Sequence, residues 1–308
     1  MSNEIIFHHY PTSPFSEKIR LIFGIKKLVW RSVEIPNMMP KPDLIPLTGG
    51  YRKTPVMQIG ADIICDTQLI ARELERRFPA PSIVPYGRGL PYGLGFWADR
   101  IVFMPTVAII FGEIGDAVPE AFKKDRAAMS GNTFSTATMK AAAPFVRDQF
   151  RAHLSFVAEQ LADGRSFLQG AEPTLVDVHA MMNVWFFNGA LPHAAKPFLE
   201  EFANVATWYA RLRAIGHGTM TPMDAKEALQ IAKNALSESK SERDPYDPNG
   251  RKPGDKVTVA ADDYGRDLVA GEIVFSNANE IAIRRTDPLV GEVVVHFPRA
   301  GFNVTSVS

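Results

Sequence analysis

Residues 52–78 read RKTPVMQIGADIICDTQLIARELERRF. Pro55 stands directly before an apolar run, Val56-Met57-Gln58-Ile59. Gly60-Ala61-Asp62 supplies a turn and Ile63-Ile64-Cys65 a second apolar run, so the pair reads as two strands joined tightly. Asp66-Thr67 then hands the chain to a helix: Leu69, Ile70, Leu74 and Phe78 recur at helical spacing, and Pro79 stops them. A proline heading a strand, where its missing N–H is not needed for pairing, is a place for a cis bond. Asp66 and Thr67 lie where a helix leaves N–H groups free and its field favours anions. A carboxylate and a hydroxyl there can hold the ammonium and carboxylate of an α-amino acid, or simply cap the helix.

Upstream, residues 4–10 (EIIFHHY) read as a strand, 11–14 as a turn, 15–23 as a helix and 28–35 (LVWRSVEI) as a second strand. Residues 38–50 form an irregular connection. The order is βαβ, loop, ββα: a parallel pair by right-handed crossover, then a hairpin. A thioredoxin-like domain has this order. Ser13 precedes Pro14, which suits the first helical position, so Ser13 is a cap candidate. Its hydroxyl could equally donate to a thiolate, since a helix N-terminus lowers a thiol pKa from about 8.5 to roughly 3.5–7.5. Tyr10, at the end of the first strand, is the rival donor. The spacing here is Ser-x-x-Ser and the only cysteine, Cys65, lies outside the turn, which speaks against dithiol–disulfide chemistry. Cys65 reads as a buried small hydrophobe. His8 and His9 read as a strand pair, one facing in and one out, rather than metal ligands.

Residues 79–91 (PAPSIVPYGRGLP) read as a linker. Helical signals follow, over 94–111 with Pro105 as start or kink, 144–160, 175–187, 198–215 and 223–237. Thr174 and Asp177 have N-cap to N3 spacing. Residues 237–254 are polar and rich in charge, a second linker. Runs at 255–260, 271–275, 280–285, 290–297 and 302–307 then alternate as short strands, predicting a small antiparallel barrel or meander. Asp262-Asp263, Arg284-Arg285, His296 and Arg299 could form a site but read rather as solvated faces, with His296, between Val295 and Phe297, a candidate barrel residue. The expected domains are 1–80, 92–240 and 252–308.

The chain of 308 residues has 46% apolar and 22% charged residues, an ordinary globular balance for two or three domains. Its formal net charge of zero argues against a broad nucleic-acid or anionic-membrane surface. One cysteine excludes an intrachain disulfide and a cysteine-based metal cluster. The first ten residues lack the pattern of a signal peptide, and the longest unbroken apolar stretches fall short of a membrane span, so a cytoplasmic location is expected.

Three stretches together resemble the cytosolic glutathione transferases. TPV, strand, turn and DTQLIAREL resemble the end of that family's N-terminal domain. SPFSEKIRL is similar to the C-P-F-A-E-R-T-R-L pattern of the omega class and the serine-first pattern of the zeta and theta classes. FLQG followed by PTLVDV is similar to the capping motif of the helical domain. The resemblance covers roughly residues 4–235. It implies a thioredoxin-like domain that binds glutathione, a helical domain with an apolar pocket for an electrophile, and detoxification chemistry by thiolate attack on an electrophilic carbon or a peroxide, conjugating or reducing the substrate, with no metal. Carried over residue by residue, Ser13 (or Tyr10) would donate to the sulfur and Phe15 would lie beside glutathione. Thr54 would offer main-chain hydrogen bonds with Pro55 cis, and Lys53 would meet the glycine carboxylate. Asp66 and Thr67, where the family usually shows Glu-Ser, would hold the γ-glutamyl group. A homodimer through the helical domain is the implied partner. Two other readings stay open: a protein of this fold that binds a ligand or partner without turnover, and an isomerase or reductase that uses glutathione as cofactor. The β-rich end lies outside the resemblance.

Overall fold

The structure, a computed structural model, describes residues 4–307. Met1, Ser2, Asn3 and Ser308, at the ends of the expected outer domains, lie outside the described residues. The N-terminal unit runs β1 (Ile6–His9), α1 (Pro14–Ile25), β2 (Val29–Glu34), α2 (Ile45–Thr48), β3 (Val56–Ile59), β4 (Asp62–Cys65) and α3 (Thr67–Arg77). β1 pairs with β2 in parallel and with β3 antiparallel, and β3 and β4 form the expected hairpin. The thioredoxin-like order is present.

Helices follow: α4 (Gly89–Phe96), a π-helical segment (Trp97–Val102), α5 (Phe103–Ile114), α6 (Glu120–Ser130), α7 (Thr136–Gln160), α8 (Leu175–Ala190), α9 (Pro192–Glu201) and α10 (Ala203–Ile215). Pro105 sits in the first turn of α5, directly after the π segment. A proline has no N–H for the carbonyl four residues back, and a widened turn before it absorbs the mismatch. Gly89–Ala117 is nevertheless one helical run long and apolar enough, by length and composition, to cross a membrane. This corrects the expectation from unbroken apolar stretches, because the run tolerates Asp99 and Arg100 within it. It packs against α7 and α8. The single helix expected over 198–215 is two, α9 and α10, broken at Phe202.

β5 (Thr219–Pro222), unforeseen because its four residues are exposed and end in proline, pairs in parallel with β2. After α11 (Ala225–Asn234) come β6 (Lys256–Ala261), β7 (Val269–Ser276), β8 (Glu280–Asp287), β9 (Gly291–Pro298) and β10 (Phe302–Ser306). These form an antiparallel meander whose last strand returns to pair with its first. The meander does not stand apart. β9 pairs in parallel with β4, Asp62 opposite Val294, so ten strands make one sheet in the order β10-β6-β7-β8-β9-β4-β3-β1-β2-β5.

Period-two alternation on the sheet sends neighbours to two cores. Ile5, Phe7, Met57, Ile59 and Ile64 join α1, α3 and the helical domain. Ile6, Val33, Val56, Ile63 and Cys65 join α11 and the meander. Both faces are therefore covered, which overturns the expectation of one solvent-facing histidine. His8 is buried against Gln58, and His9 is buried beside Ser32 and Arg20. Cys65 is a buried free thiol, as read, and burial raises its pKa well above the usual thiol range.

Candidate active site

A cavity of about 670 Å³ opens where the ends of the N-terminal strands meet α4–α8 and the meander. Tyr10, Phe15, Lys53, Thr54, Pro55, Asp66 and Thr67 all line it; Ser13 does not. Six of the seven residues singled out above, and the rival Tyr10, are thus brought to one cavity.

Ser13 is the N-cap of α1. It is 1% exposed, and its hydroxyl accepts the Ser16 N–H at 3.1 Å. The group facing the cavity is the Tyr10 phenol, with the Ser13 hydroxyl and the Arg126 guanidinium as its neighbours. Burial raises the Tyr10 pKa, and the Arg126 charge and the two hydrogen bonds offset only part of that. The phenol stays protonated at neutral pH and keeps an O–H to donate. Phe15 stacks edge-on against Phe103 of α5, 4.8 Å between centroids, and so ties this turn to the helical domain.

Asp66 caps α3. Its carboxylate accepts the Gln68 N–H at 2.9 Å, and its backbone has φ 74°, ψ 138°. Non-glycine residues there carry strain on the order of 1–3 kcal/mol and persist where the surroundings hold them, often at binding sites. The support is visible. Lys18 of α1 donates to Thr67 Oγ1 at 3.2 Å and to both Asp99 oxygens at 2.7 and 2.8 Å, joining the start of α3 to the π segment. His179 of α8 also lines the cavity, and neither ring nitrogen makes a well-aligned hydrogen bond. Burial first, and then the Lys18 charge, push its pKa well below the usual range, so the ring is neutral.

A second polar cluster surrounds the Thr54–Pro55 peptide, which is cis. Lys41 donates to the Arg52 carbonyl at 2.8 Å and to Thr54 Oγ1 at 2.9 Å. Burial, then the charges of Arg126 and Arg52, lower its pKa to about 8. Arg52 and Arg126 both pair with Asp125 of α6. Lys53 pairs with Asp263 of the meander. Asp263 is therefore part of the cavity wall and not of a solvated face, and His296 is buried between Asp62 and Glu280. Asp263 corrects the solvated-face reading, and His296 follows the alternative of a residue inside the β-rich unit, for the same reason: the meander is packed on the first domain.

The apolar wall comes from α5, α6 and α8, with Phe103, Val107, Ile110, Phe122 and Phe186 among its residues. Trp97 turns away to donate to His153 Nδ1 at 3.2 Å. Sequence reasoning missed Lys18, Lys41, Asp99, Arg126 and His179. Nothing local marks them, and Lys18 meets Asp99 across 81 positions. Among the described residues, no group of three or more His, Cys, Asp or Glu could hold a metal ion.

Comparison with known proteins fits this geometry. The family described as "Glutathione S-transferase, N-terminal domain" matches residues 7–82, and a "Domain of unknown function (DUF7962)" matches 107–219. The chain is 39% identical to a crystallised GST-like protein from Pseudomonas syringae, with all of both chains covered and a TM-score of 0.82. It is 21% identical to a glutathione S-transferase from Rhodospirillum rubrum F11, covering 68% of this chain and 88% of that one, with a TM-score of 0.51. FtsZ-localized protein A of Caulobacter vibrioides is 22% identical over 222 residues, 70% of this chain and 89% of that protein.

Proposed function

This chain belongs to the glutathione S-transferase-like family, and from that premise we propose that it binds glutathione in the cavity and transfers its thiolate to an apolar electrophile. One observation carries the reading: the cis Thr54–Pro55 peptide, the Asp66–Thr67 helix start and the Tyr10 phenol line one cavity together with apolar side chains of α5, α6 and α8. Glutathione carries a carboxylate at its glycine end, an ammonium and a carboxylate at its γ-glutamyl end, and a thiol between. The cationic cluster of Lys41, Arg52 and Lys53 suits the first. The free N–H groups of α3, with the Asp66 carboxylate, suit the second. Tyr10 then donates to the sulfur, with Ser13 and Arg126 polarising its O–H. Ser13 acts through Tyr10 and is a positioning residue. The thiolate attacks an electrophilic carbon, the leaving group departs with the bonding pair, and the thiol proton goes to solvent.

The same reading has the protein acting in the cytoplasm in detoxification, as a homodimer whose mass light scattering would report as twice that of the chain. Calorimetric titration of glutathione tests the core of it. Wild type should bind, and Asp66→Ala should bind at least 10-fold more weakly, the order of a single charge-assisted hydrogen bond. Absence of binding at millimolar glutathione sinks the assignment.

A second reading is binding without turnover. It is favoured by the self-paired state of the site's cations and by a relative named for localisation with FtsZ. It would show as glutathione binding with no loss of thiol across a panel of electrophiles. Substrate converted with no net thiol loss would instead mark an isomerase or reductase.

A further inference from the structure

The loop joining β6 to β7 reads DDYGRDL, residues 262–268. Three of its side chains, Asp263, Tyr264 and Arg266, line the cavity. Three other parts of the cavity lining each hold the loop by a separate contact. From the first domain, Lys53 Nζ meets Asp263 Oδ1 at 2.5 Å and stands 4.2 Å over the Tyr264 ring. From the π segment, Arg100 donates to Asp262 Oδ1 at 2.6 Å. From α6, the Met129 carbonyl accepts the Gly265 N–H at 2.7 Å. Gly265 has φ +61°, a backbone conformation that favours glycine, and a Cβ there would press on the Lys53 side chain, 3.2 Å from Cε. The loop closes on itself where Arg266 Nε donates to the Asp263 carbonyl at 2.8 Å.

We propose that Asp263 determines what the Lys53 corner of the cavity accepts: a ligand reaches Lys53 only by exchanging its own carboxylate for that of Asp263, which lifts the loop. This rests on the reading that the cavity takes glutathione, and it gives the meander a role in that site. The reason is electrostatic. Lys53 is mostly buried and already carries a carboxylate, and a second carboxylate beside the first is disfavoured by like-charge repulsion in a partly dry site. Arg52 and Arg126, the neighbouring guanidinium groups of the first domain and α6, are already held by Asp125. Tyr264 reinforces the closed arrangement. Burial, then the charges of Asp263, Asp99 and Asp66, raise its phenol pKa well above the usual range, which sets a neutral hydroxyl among the groups that face the γ-glutamyl end. A competitor built into the chain lowers apparent affinity by the fraction of time the corner is open. It also discriminates, because only a ligand with a carboxylate at that end gains anything from displacing Asp263.

The test uses the full chain, the variants Asp263→Asn and Gly265→Ala, and two ligands: glutathione, and glutathione with its glycine carboxylate amidated. Asp263→Asn should bind glutathione about 5- to 10-fold tighter than wild type, and the amidated ligand no tighter. Gly265→Ala, which keeps every charge but cannot hold the turn, should shift glutathione affinity the same way. Unchanged or weaker glutathione binding in Asp263→Asn overturns the proposal, as does an equal gain for the amidated ligand. A second readout needs no ligand: acetylation of Lys53 by a neutral N-hydroxysuccinimide ester, followed by mass spectrometry. It should run several-fold faster in both variants, and an unchanged rate overturns the proposal. Faster labelling with no glutathione binding in any form would leave the Asp263 shield on Lys53 standing and sink the glutathione reading instead.

Discussion

At the scale of single residues, the functional wall is a matter of which hydroxyl faces the cavity. The pattern Ser13-Pro14 marks a helix start correctly, and that is the use the structure makes of it. A cap hydroxyl that accepts a backbone N–H is turned toward its own helix, so the Tyr10 phenol, at the other end of the same turn, takes the position on the cavity. Tyr10→Phe should therefore cut conjugation about 100-fold, the usual effect of removing one donor to a developing or bound anion. It should also shift the ultraviolet thiolate signal of bound glutathione to higher pH. Ser13→Ala should cost about 1 kcal/mol of stability through the missing cap and move the thiol far less. A Ser13→Ala variant with the larger thiolate shift would reverse the two roles.

At the scale of elements, α8 shows how a local motif becomes a long-range joint. Thr174 and Asp177 form the expected capping box, with the Thr174 N–H and hydroxyl each donating to Asp177 Oδ2 at 2.9 Å. The other Asp177 oxygen accepts the Leu168 N–H at 2.7 Å and Trp208 Nε1 at 2.8 Å. One buried carboxylate thus ties the preceding loop, α8 and α10 together. Asp177→Ala strands these donors, at roughly 1–3 kcal/mol for each left without water or partner. A melting temperature lower by at least about 6 °C is expected, on the scale of 2–4 °C per kcal/mol for chains of this size. A shift within about 1–2 °C would mean that the loop repacks and the joint is not structural.

At the scale of the whole molecule, the decisive joint is between β4 and β9. His296 on β9 meets Asp62 Oδ1 through Nε2 at 2.9 Å and Glu280 Oε1 of β8 through Nδ1 at 2.7 Å. Ser237 and Ser239 and the Glu238 N–H, from the second linker, also donate to Asp62. Burial alone would lower the His296 pKa, but the hydrogen bonds and charges of Asp62 and Glu280 outweigh it and raise it to about 9. Burial would raise Asp62, but His296 and the linker donors hold it at about 2. The signs follow. A histidine raised from 6.5 to about 9 contributes its full stability below pH 6.5 and loses it as pH climbs through 9. A carboxylate lowered from 3.8 to about 2 contributes above 3.8 and loses it as pH falls through 2. These are one interaction seen from its two ends, on the order of 3 kcal/mol. The contribution of this pair should be full between about pH 4 and 6.5 and decline from about 7 to 9, read by denaturant unfolding as the difference between wild type and a His296 variant; below pH 6.5 the buried neutral His8, His9 and His179 pull the total the other way, because each must be charged as the pH falls. His296→Gln should flatten the alkaline decline, and an unaltered decline would assign it to other groups.

Much of the first domain was legible in sequence because its signals are local. Proline before a strand, a turn of three residues, a cap at the head of an apolar period and alternation in short strands all act over fewer than about ten residues. The helical domain followed for the same reason, through Thr174 and Asp177. Asp66, Thr67, Thr54 and Pro55 sit at such local boundaries, and the cavity uses all four. Tertiary structure alone decided the rest. It buried both His8 and His9, set Tyr10 in front of Ser13, and brought Lys18 to Asp99 and Lys53 to Asp263. The β-rich end was readable as strands, but not as a continuation of the first domain's sheet. Edge pairing is made by backbone groups, which every residue but proline carries alike, so side-chain pattern does not name the partner edge. Once β9 lies on β4, residues more than two hundred positions apart share one cavity wall, and the charges that read as solvent-facing become partners.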